Sequence, residues 1–461
     1  MKKRIVILGS GESGTGAALL AQRQGFDVFV SDKGAIKEEY KKQLNAHGIA
    51  WEEGQHSMDK ILKANEIIKS PGIPEKSEVM QAVRAKGINV IGEIEFGWRY
   101  AGKCKIVAIT GSNGKTTTTE LTYHLLKTAG LNVRKGGNVG NSFATMVLEE
   151  AEGRRQKVEG SIPSTLNPQP STIYVLEVSS FQLDDIQKFR PHIAMLLNIT
   201  PDHLDRYDYK LENYARSKFR ITMNQKRGDV FIFNGFDPVV ASGGTTLSRA
   251  TTTKPKEIAI RKGFFKNGQI RIGRKYAFDM TRGNLRGPHN MFNAACAIRS
   301  ALLLGAEPQK IQQGLDTFTP PPHRLEKVAV VNGVTYINDS KATNVDSVFY
   351  ALQAMETPTV WIVGGQDKGN DYSPLFKLVR KKVKAIVCMG VDNSKIVKAF
   401  KKFKKPMAEA RSAEEAVKVA AGFAEKGDTV LLSPACASFD LFKNYEDRGE
   451  QFKQAVLELK N

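Results

Sequence analysis

Three times along this chain an apolar, β-branched run stops at a glycine-rich turn and gives way to a helical pattern. Ile5–Leu8 leads into Gly9-Ser10-Gly11, Ile106–Ile109 into Thr110-Gly111-Ser112-Asn113-Gly114, and Val360–Val363 into Gly364-Gly365. Strands that alternate with helices require parallel sheets covered by helices on their faces. The segments are not copies of one another, so they mark three separate α/β units. A chain of 461 residues has room for them, at roughly 100–200 residues per domain. The expected boundaries give domains 1–98, 99–320 and 321–461, the second falling in the stiff linker Thr319-Pro320-Pro321-Pro322-His323.

Within the first unit, a strand Asp27–Ser31 ends at Asp32, and Glu66–Ile68 runs into the turn Ser70-Pro71-Gly72-Ile73-Pro74. Glu93–Tyr100 reads as a helix. The middle unit offers strands at Ile106–Ile109, Ile173–Val178, Ile193–Asn198 and Val230–Phe233, with Glu152–Ser171 expected as an exposed loop. Asn267-Gly268 and Asn332-Gly333 are hairpin signals. In the third unit Val328–Val331 and Val334–Ile337 flank the second of these, and Ala385–Met389 and Thr429–Leu432 are further strands.

The net charge of +20, from 68 Lys and Arg against 48 Asp and Glu, favours anionic ligands. Its basic runs, Arg380–Lys384 and Lys401–Lys405, lack aromatics at a stacking spacing, so a solvated lysine-rich surface is expected and nucleic acid is not. Cys104, Cys296, Cys388 and Cys436 are too scattered for a disulfide framework or a zinc site, and the first three read as core residues. The apolar run behind Met1-Lys2-Lys3-Arg4 is too short for a signal peptide, and no stretch is long enough for a membrane span. A cytoplasmic, reducing setting is the expectation.

The middle glycine turn, Thr110-Gly111-Ser112-Asn113-Gly114-Lys115-Thr116-Thr117, lies between a strand and a helix. Backbone N–H groups in such a turn close around phosphate oxygens, and the helix start adds positive potential. Lys115 would reach the β- and γ-phosphates, and Thr116 would present a hydroxyl to Mg²⁺. The general phosphate-loop pattern wants glycine where Ile109 stands, so a degenerate P-loop and a distinct TGxxGKT variant are both open. Glu177, at a strand end, suits a hard cation. His203 follows another strand in Asp202-His203-Leu204-Asp205-Arg206, and Lys218 stands on a helical segment.

Taken in order, Thr110–Thr117, Glu177–Gln182, Asp202–Arg206, His289–Asn293, His323-Arg324 and Asn338–Asn344 resemble the motifs of the Mur ligases, which build the peptide of bacterial cell-wall precursors. The resemblance covers almost the whole chain. It implies a Rossmann-like N-terminal domain, a central P-loop-type mononucleotide-binding α/β domain and a C-terminal Rossmann-like α/β domain. It implies an ATP site of Gly111, Asn113, Gly114, Lys115, Thr116 and Thr117, with Asn290 and Asn293 toward adenine and Arg324 and Asp339 on the nucleotide from the third domain. Two Mg²⁺ sites would use Thr116, Glu177, His203 and Lys218, the last as a carbamate. Ser13, Gly14, Thr15, Asp32, Ser70, Gly72 and Asn138 would bind a UDP-linked substrate.

The stretches Ser433–Asp440 and Leu441–Gly449, with Asn338–Asn344, resemble the branch of the family that adds D-glutamate to UDP-N-acetylmuramoyl-L-alanine. Lys341, Thr343, Lys368, Ser438 and Tyr445 would then surround the amino acid, whose two carboxylates call for cations and hydrogen-bond donors. Catalysis would rest on Lys115, Glu177, His203, Lys218 and Lys341, in a monomer. Two positions depart from the pattern: Tyr445 replaces a phenylalanine, and Lys33-Gly34 replace a Thr-Arg pair near the uracil.

Three other readings use parts of the same sequence. A folylpolyglutamate-type ligase shares the chemistry but usually lacks a separate N-terminal unit. An NAD-dependent dehydrogenase would use Gly9-Ser10-Gly11-Glu12-Ser13-Gly14 with Asp32, and would leave Lys115, Glu177 and His203 without a task. A non-enzymatic nucleotide-binding module would not need that acid, histidine and lysine set.

Overall fold

The structure is a computed structural model that describes residues 2–159, 171–246, 254–285, 287–367 and 369–459. It forms two units, Met1–Gly283 with Phe292–Thr317, and Asn284–Met291 with Phe318–Asn461.

The first unit holds two parallel sheets. One runs Ala50–Glu53, Asp27–Asp32, Arg4–Leu8, Glu66–Lys69, Asn89–Gly92 in spatial order. Its central strand carries the first glycine turn at its carboxyl end, where the strand order reverses and ligands of open α/β sheets bind. The other runs Lys256–Ile260, Val230–Asn234, Ile193–Leu196, Cys104–Thr110, Thr172–Glu177, Val133–Gly137. Ile106, Val107, Ala108 and Ile109 are completely buried, as a central strand covered on both faces demands. A three-stranded antiparallel sheet, Phe265–Lys266, Gln269–Ile272 and Tyr276–Asp279, completes the unit.

Both parallel sheets of this unit share one hydrophobic core, in which the helices Glu12–Arg23, Glu93–Tyr100 and Phe143–Glu159 meet. The last of these corrects the sequence reading: residues 152–159 continue a helix rather than opening a loop, and 160–170 lie outside the described residues. Ala151, Glu152, Arg154, Arg155, Gln156 and Lys157 are mostly good helix formers, and a single Gly153 costs only about 1 kcal/mol.

In the second unit the order is Glu326–Val331, Val334–Asn338, Thr429–Ala435, Thr359–Gly364, Val383–Met389, Met407–Ala410. The first pair is the expected antiparallel hairpin, turning at Asn332 and Gly333 with φ of 52° and 80°. The other pairings are parallel, and apolar clusters cover both faces. All four cysteines are free thiols, but Cys104 is only partly buried because it opens its strand at the sheet margin.

Candidate active site

The strand Cys104–Thr110 ends in the phosphate loop, and the helix Lys115–Thr128 begins beyond it. Gly114 caps that helix in the left-handed region at φ 85°, and a Cβ there would lie 2.8 Å from Asn293 Oδ1. The loop is latched from the neighbouring strand. Asn198 accepts from Asn113 N at 2.8 Å and donates to Asn113 O at 2.9 Å. Ser112 Oγ donates to Thr200 O and accepts from Thr200 N, each at 2.9 Å. Sequence reasoning placed Asn198 only at the end of a strand and missed this work, for which the only signal was a polar pair, Asn198 and Thr200, at a strand end beside the loop.

Two lysines converge on this loop. Lys115 Nζ donates to Gly111 O at 2.7 Å and to Ser112 O at 2.9 Å. Lys218, on the helix Leu211–Phe219, is 1 % exposed and donates to Gly111 O at 2.9 Å. Burial pushes the Lys218 ammonium well below its ordinary pKa, and the charge of Lys115 adds to the fall. Its Nζ also lies 4.5 Å from the Tyr214 ring centre.

Glu177 ends the strand Thr172–Glu177 and is 2 % exposed. Its Oε1 accepts from Asn138 Nδ2 at 3.0 Å, while its buried Oε2 has no hydrogen-bond partner among the described residues. Asn138, expected near a sugar-linked substrate, therefore also orients this carboxylate. Thr116 and Glu177 line one cavity of about 360 Å³, with Glu120, Arg134 and Lys135 on its walls. His203 is half exposed, with φ 52°, and its ring meets the edge of Phe181 at 5.2 Å. Phe181 lies on the short helix Ser180–Asp184 that follows Glu177, which brings His203 to the same end of the sheet. No group of three or more His, Cys, Asp or Glu side chains among the described residues forms a metal cluster. Mg²⁺ does not demand one, since it keeps several waters and takes one or two carboxylates beside phosphate oxygens.

Beside the first glycine turn lies a cavity of about 380 Å³ lined by Ser13, Asp32, Ser70 and Gly72 from the expected set, and by His56, which sequence reasoning missed. Gly14 and Thr15 do not line it. Both are buried in the helix, where a Cβ on Gly14 would lie 1.9 Å from Gly9 O and Thr15 Oγ1 is 3.4 Å from Ser10 Oγ. Asp32 accepts from Ser10 N at 2.6 Å and Gly34 N at 2.8 Å.

In the second unit, Asp339 accepts from Ser433 Oγ at 2.9 Å and from Leu325 N at 3.2 Å. Burial raises its carboxyl pKa to about 7, opposed by those two hydrogen bonds and by the charge of Arg324. Lys341 Nζ stands 3.5 Å over the Tyr445 ring. Arg448, fully buried, holds this region by donating to Ser340 Oγ, Ser340 O and Cys436 O. It lies within Leu441–Gly449, where sequence reasoning missed it. Thr343 N donates to Lys341 O at 2.9 Å, and Ser438 is buried. Lys368 lies outside the described residues. Asn290 and Asn293 share the helix Pro288–Leu303, and Asn293, 4 % exposed, abuts the phosphate loop.

Residues 4–79 match the MurD N-terminal domain, 109–301 the Mur ligase middle domain, and 323–436 the Mur ligase glutamate ligase domain. The chain is 50 % identical to the UDP-N-acetylmuramoylalanine–D-glutamate ligase of Christiangramia forsetii, over 100 % of both chains. Its fold resembles the UDP-N-acetylmuramate–alanine ligase of Thermotoga maritima, with a TM-score of 0.59 at 17 % identity, covering 99 % of this chain and 100 % of that one. It also resembles the MurF ligase of Thermotoga maritima, solved in complex with ADP, with a TM-score of 0.58 at 16 % identity over 94 % and 95 % of the two chains. Order of motifs, three domain matches and half-identity from end to end agree: the chain is a Mur ligase and belongs to the UDP-N-acetylmuramoylalanine–D-glutamate ligases.

Proposed function

We propose that this ligase joins D-glutamate to the L-alanyl carboxylate of UDP-N-acetylmuramoyl-L-alanine, splitting ATP to ADP and phosphate, in peptidoglycan precursor synthesis. The end-to-end identity with a relative of that name carries the reading. The phosphate loop with its two lysines supports the ATP half of it.

The L-alanyl carboxylate oxygen attacks the γ-phosphorus, the bond to the β-phosphate oxygen breaks, and ADP leaves. Lys115 neutralises charge on the transferring group while the loop N–H groups hold the phosphates. The amine of D-glutamate then attacks the acyl phosphate carbonyl, loses a proton and expels phosphate as the amide forms. Lys341, Thr343, Ser438 and Tyr445, with Lys368, would seat the glutamate. Asn290, Asn293, Arg324 and Asp339 would hold the nucleotide.

The residues present fit Mg²⁺. A buried carboxylate oxygen without a partner, Glu177 Oε2, is the donor a hard cation takes, and Thr116 shares its cavity. His203 and a carbamylated Lys218 would be the further ligands, and burial, which pushes the Lys218 ammonium well below its ordinary pKa, favours the amine form that reacts with CO₂. When bound, Mg²⁺ supplies charge stabilisation to the phosphoryl group. The UDP end belongs in the cavity beside Ser13, Asp32, Ser70 and Gly72. No helix among the described residues is long and apolar enough to cross a membrane; the enzyme acts as a cytoplasmic monomer on small molecules.

Purified protein, ATP, Mg²⁺ and UDP-N-acetylmuramoyl-L-alanine are mixed with single amino acids, and released phosphate is measured. Release with D-glutamate alone supports the assignment. Release with a different amino acid instead keeps the ligase chemistry and overturns the acceptor.

A further inference from the structure

His56 lines the N-terminal cavity, just past the strand Ala50–Glu53, and nothing above uses it. Its Nδ1 lies 2.8 Å from Ser31 Oγ, and that hydroxyl lies 2.7 Å from Glu52 Oε1. Ser31 is completely buried and Glu52 is 8 % exposed, so this chain of contacts is fixed rather than solvated.

The chain sets the tautomer. Burial works against charge on Glu52, but hydrogen bonds from Ser57 and Ser31, with the charge of Lys60, hold its carboxyl below the ordinary value. An ionised carboxylate only accepts, so the single Ser31 proton goes to Glu52. Ser31 Oγ then has only lone pairs to offer His56, and Nδ1 must carry the hydrogen. Burial lowers the His56 pKa, against the raising influence of Asp32 and Glu52 and with Lys33 assisting the fall. A neutral imidazole protonated at Nδ1 leaves Nε2 as a bare acceptor.

Position says what such an acceptor meets. In sheets of this topology the diphosphate sits at the glycine turn and the nucleoside beyond the acid that ends the second strand. That acid is Asp32, and the strand bearing Glu52 pairs directly outside it, with Ser31 opposite Glu52 and Asp32 opposite Glu53. His56 follows that outer strand and lines the cavity with Asp32, so a base reaching past Asp32 would meet it.

We propose that His56 selects the nucleobase: its Nε2 accepts a hydrogen bond from an imide-type ring N–H, which uracil carries at N3 and cytosine lacks. This rests on the reading that the cavity takes the UDP end of the substrate.

Binding of UDP, CDP and N3-methyl-UDP to the full-length protein is measured by calorimetry. UDP should bind about tenfold tighter than either analogue, the worth of one good hydrogen bond. His56→Ala should weaken UDP alone and bring the three affinities together. His56→Gln, which keeps an acceptor, should retain the preference. Lowering the pH until His56 is protonated turns Nε2 into a donor, and CDP should then gain on UDP. A wild-type protein indifferent to N3-methylation, or a His56→Ala variant that loses all three ligands equally, overturns the proposal. So does a wild-type protein that binds none of them. If phosphate release with D-glutamate persists in any of these cases, the ligase reading stands and only the role of His56 fails.

Discussion

Lys115 and Lys218 donate to one and the same atom, the carbonyl oxygen of Gly111, at 2.7 and 2.9 Å. Two ammonium groups on one acceptor repel, and the buried one yields. Burial is what chiefly pushes the Lys218 ammonium well below its ordinary pKa, and the charge of Lys115 adds to the fall.

Replacing Lys218 by methionine tests this. The Lys218 pKa is pushed well below 10.5 on folding, so between the folded value and 10.5 the amine is neutral in the folded protein and charged in the unfolded chain. Unfolding therefore takes up a proton, and stability falls as the pH drops from that value toward the folded pKa. Methionine keeps the bulk and removes the linkage. Lys218→Met should raise the denaturation midpoint at about pH 7 more than at about pH 10, while turnover falls by at least about 100-fold. Equal shifts at both pH values would show that the Lys218 pKa is not lowered on folding.

Much of this arrangement was readable beforehand, and the pattern of what was not has a physical basis. The strand through Ile106–Ile109, the helix Glu93–Tyr100 and both Asn-Gly hairpins announced themselves, because full burial or a positive φ leaves few residue choices. The parallel strands that sequence reading passed over are Ala50–Glu53, Asn89–Gly92, Val133–Gly137, Lys256–Ile260 and Met407–Ala410, and each is an edge strand. An edge is paired on one side only, so Glu52, Arg134 and Lys135 can stand where a central strand needs Val or Ile. The site divides the same way. Lys115 and Glu177 were legible from local motifs, whereas Asn198, His56 and Arg448 act through partners distant in sequence.

Asn198 gives the second prediction. Its amide makes both hydrogen bonds to the Asn113 backbone that hold the phosphate loop. Asn198→Ala leaves a backbone N–H and C=O without that partner, at about 1–3 kcal/mol. The KM for ATP should rise about 10- to 100-fold, with little change in the KM for the UDP-linked substrate. Steady-state kinetics in each substrate decides; parallel rises would mean general loosening instead.

The two halves of the first unit are joined through Arg206. It donates to Gly72 O at 3.3 Å and Ile73 O at 3.4 Å, on the turn that lines the N-terminal cavity. Its guanidinium also covers the Phe181 ring at 4.7 Å, the ring on which His203 packs. Arg206→Ala should raise the KM for the UDP-linked substrate by about five- to tenfold. Arg206→Lys should not restore it, because a single ammonium cannot reach two carbonyls and stack. Rescue by lysine would reduce the contact to simple charge.

Gly449 tests the packing behind the proposed D-glutamate site. A Cβ there would stand 2.1 Å from Nδ1 of His323, which is itself held by Asn338 at 2.9 Å. His323 cannot retreat without giving up that bond and moving Lys341, whose N–H donates to His323 O at 3.1 Å. Gly449→Ala should cost about 1–3 kcal/mol and raise the KM for D-glutamate, whereas a surface change such as Lys418→Ala should do neither. Unchanged melting would show that the helix Tyr445–Glu458 shifts freely.

Asp339 carries the opposite pH signature to Lys218. Burial raises its folded pKa to about 7, from an ordinary 3.8. Unfolding then releases a proton between those values, so stability is greatest below the lower one and falls as the pH rises toward about 7. Asp339→Asn removes this dependence while keeping an acceptor for Leu325 N, and the Ser433 hydroxyl can turn to accept from the new amide. The variant should gain stability over the wild type at about pH 8 and not at about pH 4. Its KM for ATP should rise if the carboxylate also serves the nucleotide beside Arg324. A stability gain without a kinetic effect would assign Asp339 to the architecture of its loop, and no pH-dependent gain would mean that the wild-type carboxyl is already ionised at neutrality.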